Sequence, residues 1–363
     1  MAQTDVYETL AEHLHSMPIG APKAPELIEI LKILFTEEEA SLGVKLPLFP
    51  AMTVDALVER TGMGKEPLKA MLDRMAKKGT VFVELGGSEP QYRLLPTVVG
   101  FSETPFWPGK RTEETEKLAP LWMKYAVNAF YHEIGGLSDT PVVRVVPLEQ
   151  TLADDRRVSP YEQLAELVKK TSYQAVAHCP CRLMRDHAGM GKCSHSTENC
   201  LHFGSMARYM VAQGMARQIT VEETLAILKR ANEEGLVHVT NNFQGEIDTI
   251  CNCCSDACIF LTGLLFMGEK NMFARSNFVC RINEDTCLAC GLCAERCPVK
   301  AIEVEETARV DAAKCIGCGV CHPTCPSESV KLVERPEPEK RPVLPMAEMV
   351  TKVMSDKKRQ FKF

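Results

Sequence analysis

The chain has no cysteine before Cys179, although it holds 17 in all. Other absences narrow the field further. No run approaches the roughly 18 consecutive apolar residues of a membrane-spanning helix, so none is expected. The opening residues, MAQTDVYETLAEHLH, lack a basic stretch followed by an apolar one. No secretory signal is read there, and a cytoplasmic setting is expected. Positive charge is not in surplus: 42 Lys and Arg stand against 48 Asp and Glu, a net charge of −6. Bulk attraction to nucleic acid or anionic lipid is therefore not expected, and DNA is disfavoured as a partner. No Gly-rich dinucleotide fingerprint follows a strand candidate, which argues against a self-contained NAD or flavin site.

What is present is the balance of a soluble globular chain, 45% hydrophobic and 25% charged over 363 residues, enough for two or three domains. The cysteines are odd in number and fall in C-x-C and C-x-x-C groups. A disulfide framework belongs to small secreted chains. In a large, unsignalled chain such spacing places thiolates around metal centres.

The cysteine-free first 100 residues read as a small helical domain. Leu27, Ile28, Leu31, Leu34 and Phe35 recur at helical spacing. Thr53 is a candidate N-cap for a helix carrying Leu57, and a second helix with Leu68, Met71, Leu72 and Met75 on one face is ended by Gly79. Strand-like segments at 81–85 and 91–95 follow, joined through Gly86 and Gly87. Helices followed by a β-hairpin in this order resemble a winged-helix domain. The resemblance implies DNA binding through the second helix of the pair; the acidic chain favours a docking module instead. Helices are expected at 118–130 and 160–170. Thr220 and Glu223 open another as a capping box, and 236–240 reads as a strand.

The strongest signal is C-terminal. Cys287, Cys290, Cys293 and Cys297 precede Pro298; Cys315, Cys318, Cys321 and Cys325 precede Pro326, repeating the pattern 28 residues on. Strand candidates flank each half, at 278–282, 301–304, 308–310 and 329–333. This run closely resembles the bacterial two-cluster ferredoxin. The resemblance implies two [4Fe–4S] clusters with crossed ligation: Cys287, Cys290, Cys293 and Cys325 hold the first, and Cys297, Cys315, Cys318 and Cys321 the second. Gly291, Gly317 and Gly319 would let the backbone approach the sulfides. Two zinc sites would leave the third and fourth cysteine of each half unexplained. Cys280, on the leading strand, reads as a buried structural thiol.

Upstream lie Cys179, Cys181, Cys193, Cys200, Cys251, Cys253, Cys254 and Cys258. They fit no single local motif, and iron–sulfur ligation by a subset is the leading reading, with zinc or unligated thiols as alternatives. His178, His187, His195 and His202 read as hydrogen-bonding neighbours rather than ligands. Arg182 and Arg185 would either offset thiolate charge or clamp an anionic substrate.

With His-Cys-Pro-Cys-Arg at 178–182, Cys200 before Leu-His-Phe-Gly, and Cys251-Asn-Cys-Cys254 ahead of the double run, residues 175–333 resemble multi-cluster ferredoxin-type iron–sulfur proteins of anaerobes. Many of these carry a winged-helix-like N-terminal region. The resemblance implies electron transfer, two [4Fe–4S] clusters with one or two more upstream, and a redox partner protein or enzyme complex. Relatives carry further cysteines after Cys-Asn-Cys-Cys; here Ser255, Asp256 and Ala257 precede Cys258, which weighs against a second upstream centre.

The expected architecture is an α+β multidomain chain. Residues 1–100 form a winged-helix-like domain, 101–275 a mostly helical cysteine-rich domain, 276–334 a bacterial 2[4Fe–4S] ferredoxin-like domain, and 335–363 a linker with an amphipathic helix. The expected function is an electron relay within or beside a larger redox enzyme. Alternatives are a stand-alone oxidoreductase with a substrate-binding centre between Cys179 and Cys258, and an iron–sulfur sensor regulating transcription. Donor, acceptor and oligomeric state are not readable.

Overall fold

The computed structural model describes residues 5–148, 164–191 and 193–360. The N-terminal helices form where the sequence supplies caps and an apolar stripe. Asp5 caps Val6–His15, Pro25 opens Pro25–Leu34, and Thr36 and Glu39 close a reciprocal capping box on Glu37–Lys45. Leu27, Ile30, Leu31 and Leu34 are fully buried. Thr53 caps Val54–Thr61, accepting from the Ala56 N–H, and Lys65–Lys78 ends at Gly79 with φ 89°. Thr104 packs against Gly79 so closely that an added Cβ would lie 2.5 Å from its side chain, so glycine is required there for space as well as conformation. The strands Val81–Glu84 and Gln91–Leu94 pair antiparallel, and Met52–Thr53 adds a third strand beside the second.

The middle region corrects an expectation. It is organised by a six-stranded sheet rather than being mostly helical. The spatial order is Val143–Val145, Val237–Asn241, Thr249–Cys253, Glu198–Phe203, Gln174–His178 and Arg217–Ile219, every neighbour antiparallel. Val176, Leu201, Phe203 and Ile250 point to one face and pack with Ile227 and Leu228 of the helix Val221–Glu233. By the period of two, Cys200, Cys251 and Cys253 take the opposite face. The helix expected at 118–130 begins earlier, at Glu113 behind a Thr112 cap, and runs on through a wider π turn at Ala126–Phe130. Of the helix expected at 160–170, Leu164–Lys170 is described, and its start lies outside the described residues.

In the C-terminal region Phe278–Ile282 pairs with Val330–Glu334, and Ile302–Val304 with Ala308–Val310. All four strands lie where the cysteine repeat predicts them. The repeat is also written in the backbone: Lys300 and Glu328 share φ near 52° and 51°, and Gly291 and Gly319 share 80° and 77°. The tail folds back. Leu344–Pro345 runs parallel to Phe243–Gln244, and the helix Met346–Asp356 buries Met349, Val353 and Met354. One apolar core runs from Tyr7 through Val239 to Leu332, so all these parts are packed together.

Candidate metal centres

In the C-terminal region the chain returns on itself so that Cys325 joins Cys287, Cys290 and Cys293 around one small cavity. Of the other four, Cys318 lies within electrostatic reach of Cys321, Cys315 and Cys297, and Cys321 also reaches Cys293 of the first set. The four thiols of the first crosswise set implied by the ferredoxin resemblance thus line one cavity. The Ala301 N–H donates to the Cys297 sulfur at 3.2 Å and the Ala308 N–H to the Cys287 sulfur at 3.5 Å. Burial, then the neighbouring thiol Cys321, pushes Cys318 well above its ordinary value. Such crowding is relieved when a cation takes the thiolates. Gly317 leaves no room for a side chain, with an added Cβ 2.1 Å from Ser276 Oγ. Convergent sulfurs, backbone donors aimed at them and a tight glycine cradle fit cubane iron–sulfur clusters.

Residues 280–332 match the family model of the 4Fe-4S dicluster domain. The chain therefore carries a dicluster domain of the ferredoxin type at its C-terminal end. No curated protein and no solved structure matches the chain. Within the dicluster domain the two sets of thiols differ in setting. In the first set Cys290 is exposed, Cys287 and Cys325 are half-buried and Cys293 is buried, whereas Cys297, Cys315, Cys318 and Cys321 are all buried. Cys280 is buried as expected, and its sulfur lies 3.7 Å from that of Cys321, so it touches the buried set. Crossed ligation predicts that Cys325→Ser removes the EPR signal of the exposed site and Cys297→Ser that of the buried one. Loss of the same signal in both variants would contradict it.

The upstream cysteines also converge. Cys179, Cys181, Cys200, Cys251, Cys253, Cys254 and Cys258 line one cavity with Glu103 and Trp107. Each position has a local cause. Cys200, Cys251 and Cys253 are carried by the two central strands, Cys179 and Cys181 flank Pro180 where a strand turns into the helix Pro180–His187, and Cys258 caps Ile259–Phe266. Cys193 stands apart from that ring. It meets Cys254 at 3.8 Å and Asp256 Oδ1 at 3.6 Å, a group compact enough to hold one ion.

The surroundings suit gathered thiolates. Arg182 is 1% exposed and donates to Ser196 O, Asn199 Oδ1 and Asn252 O. Burial disfavours its charge, but Cys179 and Cys254 more than offset that and hold it protonated. Arg185 reaches the Asp256 carbonyl at 3.0 Å. His202 is kept neutral by burial, with a pKa of about 4, and its Nε2 lies 3.2 Å from the Cys200 sulfur while Nδ1 faces Thr249 Oγ1. His178 bonds Thr197. Each of these histidines thus makes a hydrogen-bond contact with a neighbouring side chain.

Glu103 carries no recognisable signal in the sequence. Burial pushes its carboxyl up to about 8, although the Gly100 N–H and the Ser102 hydroxyl both bond it at 2.7 Å. No spacing relates it to the cysteines. Asp256 was within reach of sequence reasoning, since it lies between Cys254 and Cys258.

Proposed function

We propose that this chain is an iron–sulfur electron-transfer protein that relays low-potential electrons through its dicluster domain and at least one upstream centre, as a subunit or partner of a larger redox enzyme. Cys287, Cys290, Cys293 and Cys325 would hold one [4Fe–4S] cluster, Cys297, Cys315, Cys318 and Cys321 the other, and a subset of the seven-thiol ring a third. Such clusters, when bound, exchange single electrons. The observation that carries the reading is a single dicluster domain in which one thiol set reaches the surface through Cys290 while the other is wholly buried.

The exposed set is framed by Leu288 and Leu292, 66% and 40% exposed, which suits a partner's docking there. The buried set faces inward. Arg296, next to Cys297, donates to Asn232 O, Glu233 O and Val320 O, tying the dicluster domain to the helix that precedes Leu236. Leu236 packs with Cys193 and Cys254. In this reading electrons pass from the partner to the set that reaches the surface, then to the buried set, then to the upstream cysteines.

Residues 1–100 serve in this reading as a winged-helix-like docking module. Four of the five cations on Lys65–Lys78 are engaged: Lys65 by Asp55, Lys69 by Asp73, Lys78 by Glu39 and Lys77 by the Gln213 carbonyl. That leaves little for phosphate contacts. A transcriptional sensor is accordingly disfavoured. No helix among the described residues is long and apolar enough to cross a membrane.

Reductive titration of anaerobically purified protein tests the proposal. Iron and acid-labile sulfide should be present in about equal amounts, and at least about two electrons per chain should be taken up at low potential. Zinc in place of iron, or a chromophore that cannot be reduced, would refute it.

A further inference from the structure

Beside the seven-thiol ring lies a cavity of about 790 Å³, within the size range of small-molecule sites. Its walls are mostly apolar and include Met206, Phe243, Val350 and Met354. The helix Met346–Asp356 forms one side. Val98, Val99 and Thr249 line both this cavity and the ring, so one layer of residues separates them.

Three ionisable side chains line the cavity: Arg93, Asp248 and Arg359. Arg359 is committed to Glu133, which it grips with both guanidinium arms at 2.6 Å. Arg93 is not so committed. Its guanidinium lies 4.4 Å over the Phe82 ring, its bond to the Leu94 carbonyl is long at 3.5 Å, and among the described residues no carboxylate forms an ion pair with it. Burial lowers it to about 10, the mark of a cation stripped of water without full compensation. Glu84 and, more weakly, Asp248 attract it from beyond ion-pair distance.

The structure assigns this cavity as a binding site for a small apolar molecule with an anionic head group, its body against Phe243, Met206 and Met354 and its head group on Arg93. The argument is charge and shape complementarity. A desolvated guanidinium at an apolar wall binds a carboxylate or sulfonate in charge-assisted hydrogen bonds, and the rest of the cavity rewards a hydrocarbon body. Asp248 restricts the head group to the Arg93 side. A molecule seated here is next to the upstream cysteines without touching them. The assignment goes beyond the electron-relay reading and does not require iron in the ring.

Isothermal titration of the anaerobically purified full chain with anilinonaphthalene sulfonate tests it. One molecule should bind per chain. Arg93→Gln should weaken binding at least about tenfold, the loss of one charge-assisted contact. Ala347→Trp, which places an indole in the cavity from an exposed position of the helix, should abolish it. The neutral N-phenylnaphthylamine should bind more weakly than the sulfonate and be indifferent to Arg93→Gln. Absence of binding, binding unchanged in both variants, or equal affinity for the neutral probe would each overturn the assignment. An iron-poor preparation that still binds the sulfonate would leave the site standing while removing the relay.

Discussion

Replacing Cys253 and Cys258 together by serine should lower the iron content from about twelve or more atoms per chain to about eight, the complement of two [4Fe–4S] clusters. These two thiols are chosen because they are the hub of the ring. Cys253 contacts Cys251 and Cys258, Cys258 contacts Cys181 and Cys253, Cys181 contacts Cys179, and Cys251 contacts Cys200. Removing the hub leaves no four adjacent sulfurs in the sequence of contacts. The dicluster domain keeps all eight of its cysteines in the variant, so its reduced EPR signals should persist while any further signal disappears.

The variant should also melt at lower temperature. The ring's thiols are not independent: contact with Cys181, after burial is set against it, brings Cys258 down to about 6, while Cys179 and Cys200 are pushed well above the ordinary range. Where such a ring holds a metal centre, folding is coupled to metal binding, and structural metal sites of this kind contribute about 10 kcal/mol or more. Serine keeps a polar oxygen in place without soft ligation. Iron of about eight per chain in both the parent and the variant, with the same melting temperature, would leave the ring as a set of unligated thiols and sink the upstream centre. Loss of all iron would point instead to collapse of the shared core.

How far these sites could be read from the sequence depended on how local their causes are. The dicluster domain was fully legible, down to its four strands, because a repeat of closely spaced cysteines with glycines at fixed offsets constrains the loop directly. Its crossed grouping rests on resemblance, since spacing alone does not say which thiol of the second half returns to the first. The upstream ring shows the opposite case. Cys179 and Cys258 are far apart in sequence and are joined by strand pairing between Gln174–His178, Glu198–Phe203 and Thr249–Cys253. Glu198–Phe203 and Thr249–Cys253 were missed because Asn199, His202 and Asn252 interrupt the apolar alternation. They are buried polar residues, and their signal is tertiary: Asn252 donates through Nδ2 to Asn199 O, and its Oδ1 accepts from the His238 Nδ1–H at 2.6 Å. Glu103 is a contribution from a different element altogether. The C-terminal helix was legible as an amphipathic stripe, but not its destination, which is set by a single buried carboxylate.

That carboxylate is Glu133, and Glu133→Ala should cost about 3–5 kcal/mol and release the tail. Its side chain is 0% exposed, and its partners Lys357 and Arg359 are 1% and 11% exposed. Lys357 Nζ donates to Glu133 Oε1 at 2.7 Å and to the carbonyls of Pro18 and Glu133, Arg359 makes its two-armed contact, and the Gly20 N–H adds a bond of 2.8 Å. The alanine variant strands two buried cations, which is why the loss exceeds the worth of any one bond. Glu133→Gln keeps the shape and one acceptor and should cost less. The same group sets an acid limit. Burial alone would raise its carboxyl, but Arg359 and then Lys357 hold it below the usual range. A carboxyl depressed in the folded state contributes stability that is complete above its unfolded value of about 4.3 and is lost as pH falls through the lower folded value. Melting temperature against pH should therefore fall below about pH 4 more steeply in the parent than in Glu133→Gln, which has no such proton to take up. Limited trypsin digestion at neutral pH should cut the Glu133→Ala variant first at Lys352 and Lys357, before any cleavage in the dicluster domain. A tail that stays protected in that variant, or parallel acid profiles for parent and Glu133→Gln, would show that the apolar contacts of Met349, Val353 and Met354 hold the helix without the ion cluster.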